Sequence, residues 1–158
     1  MTDLTLTLSR DINAAPAAVW RCLTEPDLLA QWFAPAPVTI TKAVLEPVPG
    51  GAFHVVMDVP GMGEMDGGAG CILVAEPAVR LVWTSALAPG FGPNPAPEEG
   101  QFHFTAIFEL TARDQGGTRY TATALHADDA ARTAHAAMGF DTGWGAAADQ
   151  LAELAASL

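Results

Sequence analysis

Few side chains in this sequence could do chemistry in an apolar setting: His135, Tyr120, His126 and Arg10. His135 lies in an Ala-rich stretch one helical turn ahead of Met138 and Gly139. An imidazole titrates near neutrality and can act as acid, base or hydrogen-bond donor to a ligand; the plainer alternative is a capping or surface histidine. Tyr120, the only tyrosine, could orient a carbonyl through its hydroxyl, or simply pack its ring and reach a backbone carbonyl. Arg10 shares the parity of Leu4, Leu6 and Leu8, where burial without a partner would be costly. It is expected at the strand end, snorkelling or paired with an acid. The usual catalytic patterns are missing. Ser9, Ser85 and Ser157 stand in no nucleophile elbow, and Cys22 has no histidine near it in sequence. His54, His103, His126 and His135 lack metal-ligand spacing, Glu64 and Asp66 read as solvated turn acids, and no glycine run has a nucleotide-binding pattern. No metal and no cofactor are expected.

The elements that must position these groups follow from periodicity. Alternation over 4–12 predicts an opening strand. Pro16 suits the first turn of a helix carrying Val19, Trp20 and Leu23. Thr24 and Asp27 have capping-box-like spacing ahead of a second short helix with Leu28, Leu29, Trp32 and Phe33. Strands are expected over 38–46, 52–59, 65–75, 79–87, 102–112 and 118–126, with bulges or close backbone approach at Gly67-Gly68 and Gly70. Residues 88–100 hold four prolines and three glycines, which predicts a long flexible connection. Asp128 and Asp129 start a helical stretch, Gly139 interrupts it, and Phe140, Trp144, Ala147, Leu151 and Leu154 make a stripe to the C-terminus. An antiparallel meander followed by one amphipathic helix must cover its apolar face with that helix. Parity gathers Phe53, Val55, Met57, Leu81, Trp83, Phe104, Phe108 and Tyr120 on that face, with Trp32 and Phe33 near one mouth. Such a face is either a filled core or the lining of an apolar pocket.

Composition narrows the partners. At 158 residues and 50% hydrophobic content the chain is expected to form one domain with a real core. Eighteen acids against seven bases, a net charge of -11 and the single lysine Lys42 repel phosphate backbones and anionic bilayers, so no nucleic acid is expected. No apolar run approaches the roughly 20 residues of a membrane span, and the N-terminus lacks a signal-peptide pattern. Cys22 and Cys71 are expected to be buried free thiols. These features together predict a cytoplasmic protein without membrane insertion.

Five groups of residues, taken in order, carry a likeness: Ala15-Pro16-x-x-Val19-Trp20; Gln31-Trp32-Phe33-x-Pro35; Gly50-Gly51-x-Phe53; Gly117-Thr118; and Gly143-Trp144 with Asp149-Gln150-Leu151. Together they resemble the family named after the C-terminal domain of the Hsp90 ATPase activator. That family is a branch of the START-like superfamily, which includes polyketide cyclases and lipid-transfer domains. The resemblance spans essentially the whole chain. It implies an α+β helix-grip (START-like, Bet v1-like) fold over residues 1–158. In that fold a curved antiparallel sheet of about six to seven strands grips a long C-terminal helix, two short helices follow the first strand, and a cavity lies between sheet and helix. It also places His135, Met138, Phe140 and Trp144 beside that cavity. The expected partner is then a small hydrophobic molecule, with residues 88–100 and the Trp32-Phe33 edge as mouth or lid. The alternative is a polyketide cyclase or dehydratase-like enzyme in which His135 or Tyr120 acts as general acid or base. Hsp90 itself is a poor fit as partner, because in the eponymous activators a separate N-terminal domain cooperates with this one.

Overall fold

In the computed structural model, which describes residues 3–158, the opening alternation becomes β1 (Thr5–Ile12). β1 pairs along its whole length with β8 (Thr118–His126), setting Arg10 opposite Tyr120. Between them run β2 (Thr39–Leu45), β3 (Ala52–Val59), β4 (Gly63–Asp66), β5 (Gly70–Glu76), β6 (Arg80–Thr84) and β7 (Phe104–Ala112). The sheet is a curled antiparallel half-barrel in the order β1-β8-β7-β6-β5-β3-β2, with β4 attached to β3 alone.

The expected single strand over 65–75 is in fact two. Gly67 and Gly68 break it, Gly68 with a φ of 87° that side chains rarely adopt. β4 stays on β3, whereas β5 crosses to β6. A Cβ on Gly70 would lie 2.6 Å from the Thr84 carbonyl oxygen, so only glycine lets β5 come this close to β6. As a result β3 and β5 share only the pairs Ala52–Cys71 and Phe53–Gly70. Beyond them the sheet opens, and Val55, Met57 and Val59 of β3 have no β5 neighbour.

Helix α1 (Pro16–Thr24) starts at Pro16 as expected and buries Val19, Cys22 and Leu23. The second helix, α2 (Pro26–Leu29), is shorter than expected and uncapped by any side chain; Thr24 instead donates to the Trp20 carbonyl at 2.8 Å. Trp32 and Phe33 fall in the turn after it because their segment is held from outside. The Trp32 indole donates to the Cys22 carbonyl at 2.8 Å. The Gln150 side-chain amide donates to the carbonyls of Trp32 and Ala34 at 3.0 and 2.8 Å and accepts from Ala36 N–H at 2.9 Å.

At the other end, Asp128 caps α3 (Asp129–Ala137) by accepting from Ala131 N–H at 2.8 Å. Gly139, at a φ of 93°, turns the chain into α4 (Phe140–Ser157). This helix lays Ala147, Ala148, Leu151 and Ala155 on the sheet; the alanines keep it close, and Leu151 joins Ile12, Val19, Leu23 and Leu81 in the fully buried core. Among the described residues no helix is long and apolar enough to cross a membrane.

Candidate functional site

The strands leave a cavity of about 490 Å³ between the sheet and the α3–α4 corner, within the size range of sites that hold drug-sized ligands. Two aromatic groups flank it. On the sheet side Phe53 and Trp83 stack with centroids 4.1 Å apart and planes 7° from parallel; Gly70, the register partner of Phe53, puts no side chain between them. Phe33 tilts against both, and Trp32 meets Phe33, Phe108 and Tyr120 edge-on. On the helix side Phe140 and Trp144 lie 4.5 Å apart and enclose His135 together with Phe104. No Arg, Lys, Asp or Glu stands in the wall.

His135 is 7% exposed and one of the few polar groups of the wall. Its Nδ1 lies 2.9 Å from Nε2 of His126, and Nδ1 of His126 lies 2.8 Å from the Leu4 carbonyl. A carbonyl only accepts, so His126 carries its proton on Nδ1 and offers a lone pair at Nε2. His135 must then donate from Nδ1, which leaves its own Nε2 as a lone pair on the opposite ring edge, without a partner among the described residues. Burial, helped by the neighbouring His126, pushes the imidazole from 6.5 down to about 4. His135 is thus a neutral hydrogen-bond acceptor.

Tyr120 is its counterpart. Burial raises its phenol above the ordinary value of 10, and its hydroxyl is not among the buried atoms left without a partner. The phenol therefore keeps its proton at neutral pH and can donate it in a hydrogen bond. Ser85, also on the wall, is already engaged: its hydroxyl accepts from Phe104 N–H at 3.1 Å and contacts His103 Nδ1 at 3.2 Å. Trp83 Nε1 is the one buried side-chain nitrogen or oxygen with no partner among the described residues. No three His, Cys, Asp or Glu side chains converge among them as a metal site would need.

The model of the family described as Activator of Hsp90 ATPase homolog 1-like protein matches residues 13–156. The chain belongs to that family. Among solved structures, a Nitrosomonas europaea protein is 40% identical over 96% of this chain and 93% of its own, with a TM-score of 0.88. A Rhodobacter sphaeroides protein is 26% identical over 98% and 94%, with a TM-score of 0.81. A Mycobacterium smegmatis protein, 24% identical over 96% and 90%, shares the fold with a TM-score of 0.77. No curated protein matches.

Within this Hsp90-activator-like helix-grip frame, the structure brings Trp32, Phe33, Phe53, Val55, Met57, Trp83, Phe104, Phe108, Tyr120, His135, Met138, Phe140 and Trp144 to one cavity. Leu81 is not on its wall. It has the right parity, but it sits where the sheet is closed over and is fully buried in the core. Arg10 is also elsewhere: near the end of β1 and with its side chain 37% exposed, it pairs with Asp149 on α4 at 2.8 Å and donates to the Ser9 carbonyl at 3.0 Å. The pairing with an acid holds, and Arg10 lies third from the end of β1. His126 stands behind His135 rather than on the wall. Asp66 is more than a solvated turn acid. His54 at 2.7 Å and the Gly68 N–H at 2.9 Å hold its carboxyl below the ordinary carboxylate value.

Residues 88–100 do not reach the cavity. Their first half is tied down instead. Gly90 N–H donates to the Gly50 carbonyl, Leu87 bridges Pro93, and the Asn94 side chain donates to the carbonyls of Ala69 and Ser85. Val59, which continues the β3 alternation, also lines the cavity, as do the rim glycines Gly67, Gly68, Gly139 and Gly143, which carry no apolar signal in the sequence.

Proposed function

We propose that this protein binds a small, neutral, hydrophobic molecule in the cavity between the sheet and α4. The observation that carries the proposal is the wall itself: about 490 Å³ enclosed by stacked and edge-on aromatic side chains, with no charged residue facing in. Such a surface contributes roughly 25 cal/mol for each Å² of apolar area it removes from water, and it charges a heavy desolvation penalty to any ion.

The second reading, an enzyme of the polyketide cyclase or dehydratase kind, draws on the same two polar groups. General acid–base catalysis works best with a group whose pKa lies near the operating pH. An imidazole held at about 4 is a weak base at neutral pH, and a buried tyrosine pushed upward is a poor acid. Both are better suited to holding a ligand than to moving a proton. An Hsp90 partner would instead call for an exposed docking patch, and the cavity offers no reason for one.

Native mass spectrometry of the protein as purified, followed by organic extraction, tests the proposal. The expected result is a stoichiometric adduct that extracts as a neutral organic molecule. Turnover of a polyketide-like carbonyl compound that falls about 10²–10⁴-fold in His135→Ala would overturn it in favour of the enzyme.

A further inference from the structure

The chain of hydrogen bonds behind the wall restricts what the ligand can be, provided the cavity is the binding site proposed above. Starting at the Leu4 carbonyl, each link fixes the next: His126 donates from Nδ1 at 2.8 Å, so in its singly protonated ring Nε2 accepts. His135 donates to it from Nδ1 at 2.9 Å, so the remaining His135 nitrogen can only accept. From α4, Phe140 and Trp144 pack on the His135 ring, and from β7 Phe104 does. None of these supplies a donor to Nε2, and none carries a charge. An acceptor in such a place costs free energy if it stays unmade. Because His135 lines the cavity and its Nε2 is not among the side-chain atoms sealed away without a partner, an O–H or N–H of a bound ligand can take the place of water there.

We infer that the ligand is a neutral, flat aromatic molecule bearing a hydroxyl of the phenol or enol type, which donates its hydrogen bond to Nε2 of His135. Three observations favour this class. The stacked Phe53–Trp83 pair and the close Phe140–Trp144 pair make the wall largely aromatic, a surface suited to edge or offset contact with another ring. The wall lacks a cation that would hold a carboxylate or a phenolate. Tyr120 supplies a donor on the same wall, so the ligand hydroxyl, or a carbonyl conjugated to it, can accept as well as donate. His126 is a positioning residue in this scheme: it touches no ligand and acts by fixing the His135 tautomer.

Isothermal titration of the wild-type protein with 2-naphthol, 2-methoxynaphthalene and naphthalene tests the inference. The two oxygenated probes have the same ring system and differ in that the ether has a methyl where 2-naphthol has the hydrogen that His135 would accept. 2-Naphthol is expected to bind about tenfold more tightly than the methyl ether, the worth of one hydrogen bond that is otherwise left unmade. That ratio should fall to about one in His135→Phe, which keeps the ring, and should shrink in His126→Leu, where His135 is free to place its proton on either nitrogen. Equal affinity of the wild type for 2-naphthol and its methyl ether overturns the hydroxyl assignment while leaving an apolar binding site in place. Failure of all three probes to bind overturns the binding site together with the inference.

Discussion

Burial has made His135 a neutral group, and that carries a consequence for stability as well as for recognition. Its ordinary value of 6.5 falls to about 4 in the folded protein, first through burial and then through His126. Between those two values the unfolded chain takes up a proton that the folded chain refuses, so stability rises with pH across that window. The penalty is absent above about pH 6.5 and grows as the pH falls toward 4, where it reaches at most about 3 kcal/mol. The variant His135→Phe has no such group. Denaturant unfolding at pH 7.5 and pH 4.5 should show wild type losing about 2–3 kcal/mol more than the variant, a difference measured above the range where Asp11 and Asp66, both held low by their partners, begin to protonate. An equal loss in both proteins would mean that His135 is not buried neutral. Tyr120 and His135 were legible in the sequence as candidates, by parity and by position. Their roles were not, because the partner that fixes the His135 tautomer stands on another element and is itself oriented by a backbone carbonyl of residue 4.

At the scale of elements, the two ends of the chain hold the cavity open between them. Gln150 on α4 fastens the Trp32–Ala36 segment with three hydrogen bonds, and Asp149 next to it pairs with Arg10 on β1. This accounts for Asp149-Gln150-Leu151 as a unit: an ion pair, a clamp and a core residue on consecutive positions. The variant Gln150→Ala should lose about 2–3 kcal/mol, at roughly 1 kcal/mol for each bond, and should release Trp32 and Phe33 from the sheet-side wall. Chemical denaturation reads the first effect and near-UV circular dichroism the second. Unchanged stability and an unchanged aromatic signal would remove the clamp from the account. Elements were legible where one local signal decided them: β1 by alternation, α1 by Pro16, and α3 by its Asp128 cap. The early end of α2 was not, because Trp32 and Phe33 are drawn out of the helix by bonds to Cys22 and Gln150 that no local pattern announces. The first half of the loop over 88–100 is less free than its composition suggests, for a related reason. Its prolines and glycines exclude regular structure, but they do not prevent Asn94 and Gly90 from anchoring it.

For the whole molecule, the meander, the terminal helix and the family were all readable from order and periodicity, and the structure and its relatives agree with them. The opening in the sheet was not readable. It arises where Gly67 and Gly68 divide one strand into two and β3 parts from β5, and glycines mark a break without saying what space it leaves. That space is the centre of the account. Gly143 tests it, because it sits inside α4, lines the cavity, and has no heavy atom within 4 Å of where a Cβ would stand. A leucine there starts from an uncrowded Cβ position on the cavity wall, should reduce the cavity, and should relieve the cost of glycine in a helix, which is about 0.5–1 kcal/mol relative to alanine. The most direct measurement is isothermal titration of wild type and Gly143→Leu with 2-naphthol, alongside thermal unfolding of both. The account predicts saturable binding to the wild type, binding lost in Gly143→Leu, and a variant at least as stable as its parent. Equal binding by both proteins would contradict it, since the ligand would then be held somewhere other than this cavity.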